Sequence, residues 1–221
     1  MTVFIIITAC LLDDPKNKRS YATRKIEYTS GISALLERCK DKPYKLVIVE
    51  NNSLINRLPF HLKKHRTFLE DFGIPVLYTR NNMYRIKNYG TKELLDIKHA
   101  VDQLNIQDDD FVVKITGRYV LDKVCPFFDV IEKMEENSYS AVLRFGAYTN
   151  FEKIREKDNC TTGLIGLKCK YLKQLDLPDE DTFVEKIWAK KIAELPENEV
   201  YMLDHLGIFI RPATLEHYVL I

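Results

Sequence analysis

Four stretches of the chain are apolar without interruption: Val3 to Ile7, Leu46 to Val49, Val76 to Tyr78 and Phe111 to Val113. A strand with one face in water alternates apolar and polar residues, whereas a strand covered on both faces has no polar side to show. Between these runs lie segments with apolar residues at helical spacing. They are Tyr28, Ile32, Leu35, Leu36 and Cys39; then Leu58, Leu62, Phe68, Leu69 and Phe72; then Leu94, Ile97, Val101 and Leu104. Gly73 and Pro75 end the second. This alternation predicts an α/β fold with a Rossmann-type, mainly parallel sheet flanked by helices.

The second half changes character. It reads as a helix near Pro126 to Glu136, strands near Ala141 to Phe145 and Gly163 to Lys168, a helix from about Thr182 to Leu195 and a last strand over Gly207 to Ile210. No repeat or Gly/Ser linker separates the halves, so 1–221 is expected to be a single domain with a mixed sheet. Residues 1–121 would bind the ligand and 122–221 would close the cleft.

Lys and Arg (33) nearly cancel Asp and Glu (32), which leaves little long-range field to attract nucleic acid. The basic segment Lys63-Lys64-His65-Arg66 reads as the solvated face of a helix. Cysteines at 10, 39, 125, 160 and 169 form no close pair, which argues against a disulfide framework and for a reducing compartment. The run Val3 to Leu12 is shorter than the roughly 20 residues a membrane helix needs and has no basic residues ahead of it. The expectation is a soluble, cytoplasmic protein without a membrane span, its oligomeric state left open.

In doubly wound sheets, ligands bind beyond the carboxyl ends of the strands. Polar clusters fall at those ends: Thr8-Ala9-Cys10, Glu50-Asn51-Asn52, Thr79 to Asn82, and Lys114-Ile115-Thr116-Gly117-Arg118-Tyr119. The last reads as a loop suited to phosphate or sugar oxygens, since a strand gains nothing from burying Lys and Arg. Alternation would put Lys114, Thr116 and Arg118 on one face, opposite Ile115 and Gly117. Neither GxxxxGK[ST] nor GxGxxG is present, so kinase and dehydrogenase readings lose their support. Glu50 and Asn52 would hydrogen-bond a base or ribose, or simply form a turn. Lys87, Lys114 and Arg118 would neutralise a diphosphate, or pair with nearby carboxylates.

The order of signals from Val3 to Tyr119 resembles nucleotide-sugar glycosyltransferases of the GT-A fold. The second strand ends Val47-Ile48-Val49-Glu50-Asn51-Asn52, the third runs into Asn81 and Asn82, and Asn88-Tyr89-Gly90-Thr91 is similar to the family's segment that covers the sugar-nucleotide. The Lys114 to Tyr119 segment resembles a variant of bacterial surface-polysaccharide clusters and large DNA viruses, which for a viral protein would mean the host cytoplasm. Most of the family carries Asp-x-Asp there, holding a divalent metal on the diphosphate. Asp108-Asp109-Asp110 has those letters but precedes the strand and reads as a solvated turn.

The resemblance implies transfer of a sugar from a nucleoside diphosphate-sugar, a UDP-sugar foremost, to a hydroxyl of a glycan or glycoprotein. Two mechanisms stay open: Lys114 and Arg118 replace the metal, or Mn2+ or Mg2+ still binds through the diphosphate and a later ligand, Asp204 or His205. Thr8, Ala9, Asn82, Lys87, Asn88, Gly90, Thr116 and Gly117 complete the expected donor site. Cys160 to Gly166 is similar to a strand flanking the acceptor site. Glu185 would be the general base, or an acid favouring a helix dipole. His61, His65, His99 and His217 read as surface. A sugar nucleotidyltransferase and a nucleotide- or glycan-binding module without turnover are the alternatives.

Overall fold

The computed structural model describes residues 1–11, 21–52, 67–82, 86–137, 139–146, 157–210 and 219–221. Leu58 and Leu62 of the expected second helix, the segment Lys63 to Arg66, His61 and His217 lie outside the described residues.

The four apolar runs form β1 (Val3–Ala9), β2 (Lys45–Glu50), β3 (Val76–Tyr78) and β4 (Phe111–Thr116), all parallel. The second half adds β5 (Val120–Leu121), β6 (Ala141–Leu143), β7 (Leu164–Lys168), β8 (Val200–Met202), β9 (Ile208–Ile210) and β10 (Val219–Leu220). The main sheet has seven strands in the order β3-β2-β1-β4-β7-β6-β8, and β7 runs antiparallel to both neighbours. β10, β9 and β5 form a separate antiparallel sheet.

Helices cover both faces, which is why the first strands read as uninterrupted apolar runs. On one face α1 (Tyr21–Cys39) presents Tyr28, Ile32 and Leu35 to Ile5, Ile7, Val113 and Ile115. A four-residue helix α2 (Thr67–Glu70) adds Phe68 and Leu69 to that core. On the other face lies α3 (Tyr89–Gln103), with Leu94, Ile97, Ala100 and Val101 against Phe4, Ile6 and Val112. The expected helix at 126–136 is two: α4 (Pro126–Glu132), on the α1 side, and α5 (Met134–Asn137). α6 (Cys169–Lys173) and α7 (Val184–Ala193) complete the α3 side.

Two further expectations need correction. The fourth strand runs three residues past Val113, so Lys114, Ile115 and Thr116 are strand and only Gly117 to Tyr119 form the turn. The expected strand at 141–145 stops at Leu143, and Phe145 makes an isolated bridge to Cys160. Asp108 to Asp110 form a turn at the amino end of β4, the edge opposite the strand ends considered below. There Asp110 accepts from Thr2 and Gln107 backbone N–H at 2.8 and 3.1 Å, and Asp108 pairs with Lys173 at 2.6 Å.

Candidate functional site

The carboxyl edge of the parallel strands is closed by main-chain hydrogen bonds between successive loops. Asn51 N–H donates to Ala9 O (3.2 Å), Asn82 N–H to Asn51 O (3.2 Å), Gly117 N–H to Thr8 O (3.0 Å) and Thr116 N–H to Gly163 O (2.9 Å). Above this rim lies a cavity of about 750 Å³. It straddles the sheet edge: α1 supplies Arg24 and Tyr28 from one face, while the amino-terminal turns of α3 supply Lys92, Glu93 and Asp96 and the first turn of α7 supplies Glu185 from the other.

Gly31 sets the approach of α1. A Cβ there would run into Gly117 O and come within 2.8 Å of Tyr119 O, so only glycine lets the helix rest on the turn after β4. Gly117 in turn lies against β1, where a Cβ would stand 2.8 Å from Ile7 Cγ2. The consequence is that Tyr28 and Arg24, one and two turns before Gly31, line the same cavity as Arg118. Tyr28 Oη accepts from Cys10 N–H at 2.8 Å, and Arg24 Nη1 donates to Cys10 O at 2.5 Å. The Arg118 guanidinium stands 5.1 Å from the centroid of the Tyr119 ring.

Lys114 is placed beneath the cavity and does not line it. It is 1% exposed, and its Nζ donates to Glu93 Oε1 (2.7 Å), Thr116 Oγ1 (2.9 Å) and Thr162 O (2.7 Å). A buried ammonium needs a countercharge and filled hydrogen bonds, and all three of its donors are met. Glu93 Oε1 also accepts from Thr8 Oγ1 at 2.8 Å. This pair explains why β4 continues through a lysine. It also shows that Thr116 shares the Lys114 face, as alternation required.

At the other end, Glu50 is buried and accepts from Leu11 N–H (3.1 Å), Asn52 N–H (3.1 Å) and Asn52 Nδ2 (2.7 Å). Burial pushes its carboxyl up to about 7, against those hydrogen bonds. Asp96 is likewise pushed up to about 6 by burial, while accepting from Thr79 Oγ1 (2.5 Å) and Asn81 Nδ2 (2.6 Å). Asn82 ties the Asn52 loop to α3, donating to Asn52 Oδ1 (2.6 Å) and accepting from Lys92 Nζ (3.0 Å). Glu50 and Asn52 thus underlie the loop whose Asn51 faces the cavity.

Glu185, on the first turn of α7, lines the cavity, and Thr162 Oγ1 lies 3.4 Å from its Oε1. Burial raises its carboxyl, with the charge of Glu93 adding to the rise. α7 is held against α3 where a Cβ on Gly90 would come within 2.5 Å of Val184 Cβ. Asn88 caps α3 through Gly90 and Thr91 N–H (2.9 and 3.2 Å) and donates to Asp179 O and Thr182 O (both 2.8 Å). Lys87 pairs with Glu180 at 2.9 Å on the rim.

Of the residues picked from sequence, Thr8, Ala9, Asn82, Lys87, Asn88, Gly90, Thr116, Arg118 and Glu185 line the cavity, while Gly117, Glu50, Asn52 and Lys114 support it from below. Asp204 and His205 are exposed and do not line it. Sequence reasoning missed Arg24, Tyr28, Glu93 and Asp96. Glu93 had a signal: it falls where the stripe Ile97, Val101, Leu104 calls for another apolar residue, four before Ile97. Arg24, four before Tyr28 on the apolar stripe of α1, had the same one.

The described residues offer a divalent metal no protein ligand set of its own at this cavity. Among the described residues no group of three or more His, Cys, Asp and Glu side chains could hold one. Where the resembled family has Asp-x-Asp, this chain has a lysine, and the nearest carboxylate, Glu93, is bonded to its ammonium.

No protein-family model matches the chain, and no curated protein matches it by sequence. Solved structures do match in shape. The mannosyltransferase PcManGT from Pyrobaculum calidifontis, in complex with GDP-Man and Mn2+, superposes with a TM-score of 0.53 at 12% identity, over 91% of this chain and 56% of that one. S. aureus TarS gives 0.52 at 13%, over 92% of this chain and 35% of that one. The fold is GT-A-like. This chain therefore spans between a third and just over half the length of those two proteins, and at such identities the likeness is one of fold. Among the described residues no helix is long and apolar enough to cross a membrane.

Proposed function

We propose that the chain is a glycosyltransferase that moves a sugar from a nucleoside diphosphate-sugar, a UDP-sugar in the first instance, to a hydroxyl of a glycan or glycoprotein. The observation that carries this reading is the division of one cavity at the carboxyl edge of a GT-A-like sheet: two arginines, 24 and 118, lie toward α1, and a carboxylate with a raised pKa, Glu185, toward α7. The fold shared with a mannosyltransferase that holds GDP-Man supports it.

In this reading the nucleoside lies over Asn51 and Asn82 and the diphosphate reaches Arg24 and Arg118. Guanidinium groups suit phosphate because their planar N–H fork meets two oxygens at once. As the bond between the anomeric carbon and the diphosphate oxygen breaks, negative charge grows on the leaving group, and fixed cations there lower the barrier. Glu185 takes the proton of the acceptor hydroxyl as its oxygen bonds to the anomeric carbon. Its raised pKa makes it a stronger base than a surface glutamate. Lys114, neutralised by Glu93, holds the floor of the site, so Arg118 is the catalytic cation of the pair.

Isothermal titration against UDP-, GDP- and TDP-sugars, with and without manganese, tests the proposal. Saturable binding of at least one donor, lost in Arg118→Ala, is expected. Absence of binding throughout the panel overturns it.

A further inference from the structure

Two large aromatic side chains stand in solvent at the mouth of this cavity. Phe183 is 67% exposed and Tyr89 57% exposed, and both line it. Exposed apolar residues scattered singly are ordinary, but a pair gathered on the rim of a polar cavity is a recognition feature.

Their placement is built. Tyr89 opens α3 and Phe183 immediately precedes α7, and the two helices meet through the Gly90–Val184 contact at the very next residue of each. The loop leading to Phe183 is tied to α3 by Asn88, as described above, and by Thr91 Oγ1 donating to Pro178 O at 3.0 Å. Asp179 Oδ1 fixes it further, accepting from Thr182 N–H at 2.7 Å. Lys92 Nζ sits 5.0 Å from the Tyr89 ring centroid. Two rings are thus held in water on a hydrogen-bonded frame, with Glu185 two residues beyond Phe183.

We infer that Tyr89 and Phe183 form the acceptor subsite and that its ligand is a carbohydrate ring, a pyranose stacked by its C–H face on the aromatics with a hydroxyl turned toward Glu185. This rests on the glycosyltransferase reading and narrows its acceptor to a glycan. A pyranose is amphiphilic, with a flat patch of C–H groups and a girdle of hydroxyls. An aromatic surface beside a carboxylate answers both, whereas an apolar peptide would leave the polar side of the mouth without partners.

The test uses the full chain and a panel of methyl glycosides of glucose, galactose, mannose and N-acetylglucosamine. Saturation-transfer NMR is recorded with UDP present, and donor-sugar affinity is measured in parallel by calorimetry. At least one glycoside should show transfer concentrated on its C–H face. Its affinity should fall about tenfold or more in Tyr89→Ala/Phe183→Ala and persist in Tyr89→Phe and Phe183→Tyr, with donor affinity unchanged in Phe183→Ala and Phe183→Tyr. Donor binding without any glycoside binding, glycoside binding indifferent to both rings, or retention of a Phe/Pro-rich peptide in place of the sugars overturns the inference while the donor reading stands. Failure of every nucleotide sugar to bind removes the donor reading and this one with it.

Discussion

Glu50→Gln should flatten the pH dependence of stability. The folded protein holds the Glu50 proton more tightly than the unfolded chain, since its pKa rises from 4.5 to about 7. That corresponds to about 3 kcal/mol between the protonation states. The sign follows from proton uptake: with a raised pKa the stabilisation is complete below the unfolded value and is lost as pH rises through the folded one. Between pH 5 and pH 8 the wild-type protein should lose about 2–3 kcal/mol from this group, or roughly 5–10 °C in Tm for a chain of this size. Glutamine keeps the shape but turns an NH2 toward Leu11 N–H or Asn52, a cost of about 1–3 kcal/mol that does not vary with pH. The variant should therefore be the less stable protein at pH 5 and draw level near pH 8. Asp96, raised over a lower window, is present in both proteins and enters the difference only through the part of the Glu50 rise that its charge causes. Thermal unfolding followed by circular dichroism across pH 5 to 8 reads both curves. Parallel curves, or a wild-type protein that gains stability toward pH 8 relative to the variant, would refute the buried-acid argument.

Other outcomes separate the two cations and the two ends of the cavity. Lys114→Ala leaves Glu93 without its countercharge and should cost about 2–3 kcal/mol in urea unfolding; Glu93 is 26% exposed, which keeps the loss below that of a fully buried partner. Arg118→Ala should leave that midpoint unchanged and cut turnover by about ten- to a thousandfold. Glu185→Gln should lower kcat by about 10²–10⁴-fold and abolish the rise of rate with pH that a raised carboxyl base produces, with donor affinity retained; unaltered kcat would point to a binding module without turnover. Gly31→Ala should destabilise by about 1–3 kcal/mol and weaken donor binding, because the helix carrying Arg24 and Tyr28 must lift from the turn. An unchanged midpoint would show that the close approach is not required.

The fold was legible because its signals are local. The uninterrupted runs at β1 to β4 follow from cover on both faces, and the i, i+4 stripes of α1 and α3 from one apolar side. The two- and three-residue strands β5, β8 and β10 carry too few residues to show a period, and long-range pairing alone defines them. At the site, sequence located the strand ends but not the state of each charge. Lys114 and Arg118 look equivalent as letters. Only the arrival of Glu93 from α3, 21 residues earlier, makes one a buried structural ion and leaves the other lining the cavity. Asp204 and His205 stood out as a polar pair near a strand, but that strand, β9, belongs to the smaller sheet, and neither lines the cavity.

In the proposed transfer Arg118 with Arg24, and not Lys114, meets the diphosphate. A crystal structure with UDP bound, from crystals grown with and without manganese, decides between the two. The account predicts phosphate oxygens within hydrogen-bonding distance of both guanidinium groups, the base over Asn51 and Asn82, and Lys114 still bonded to Glu93. A nucleotide outside the cavity, or a Lys114 ammonium released from Glu93 onto the diphosphate, would contradict it.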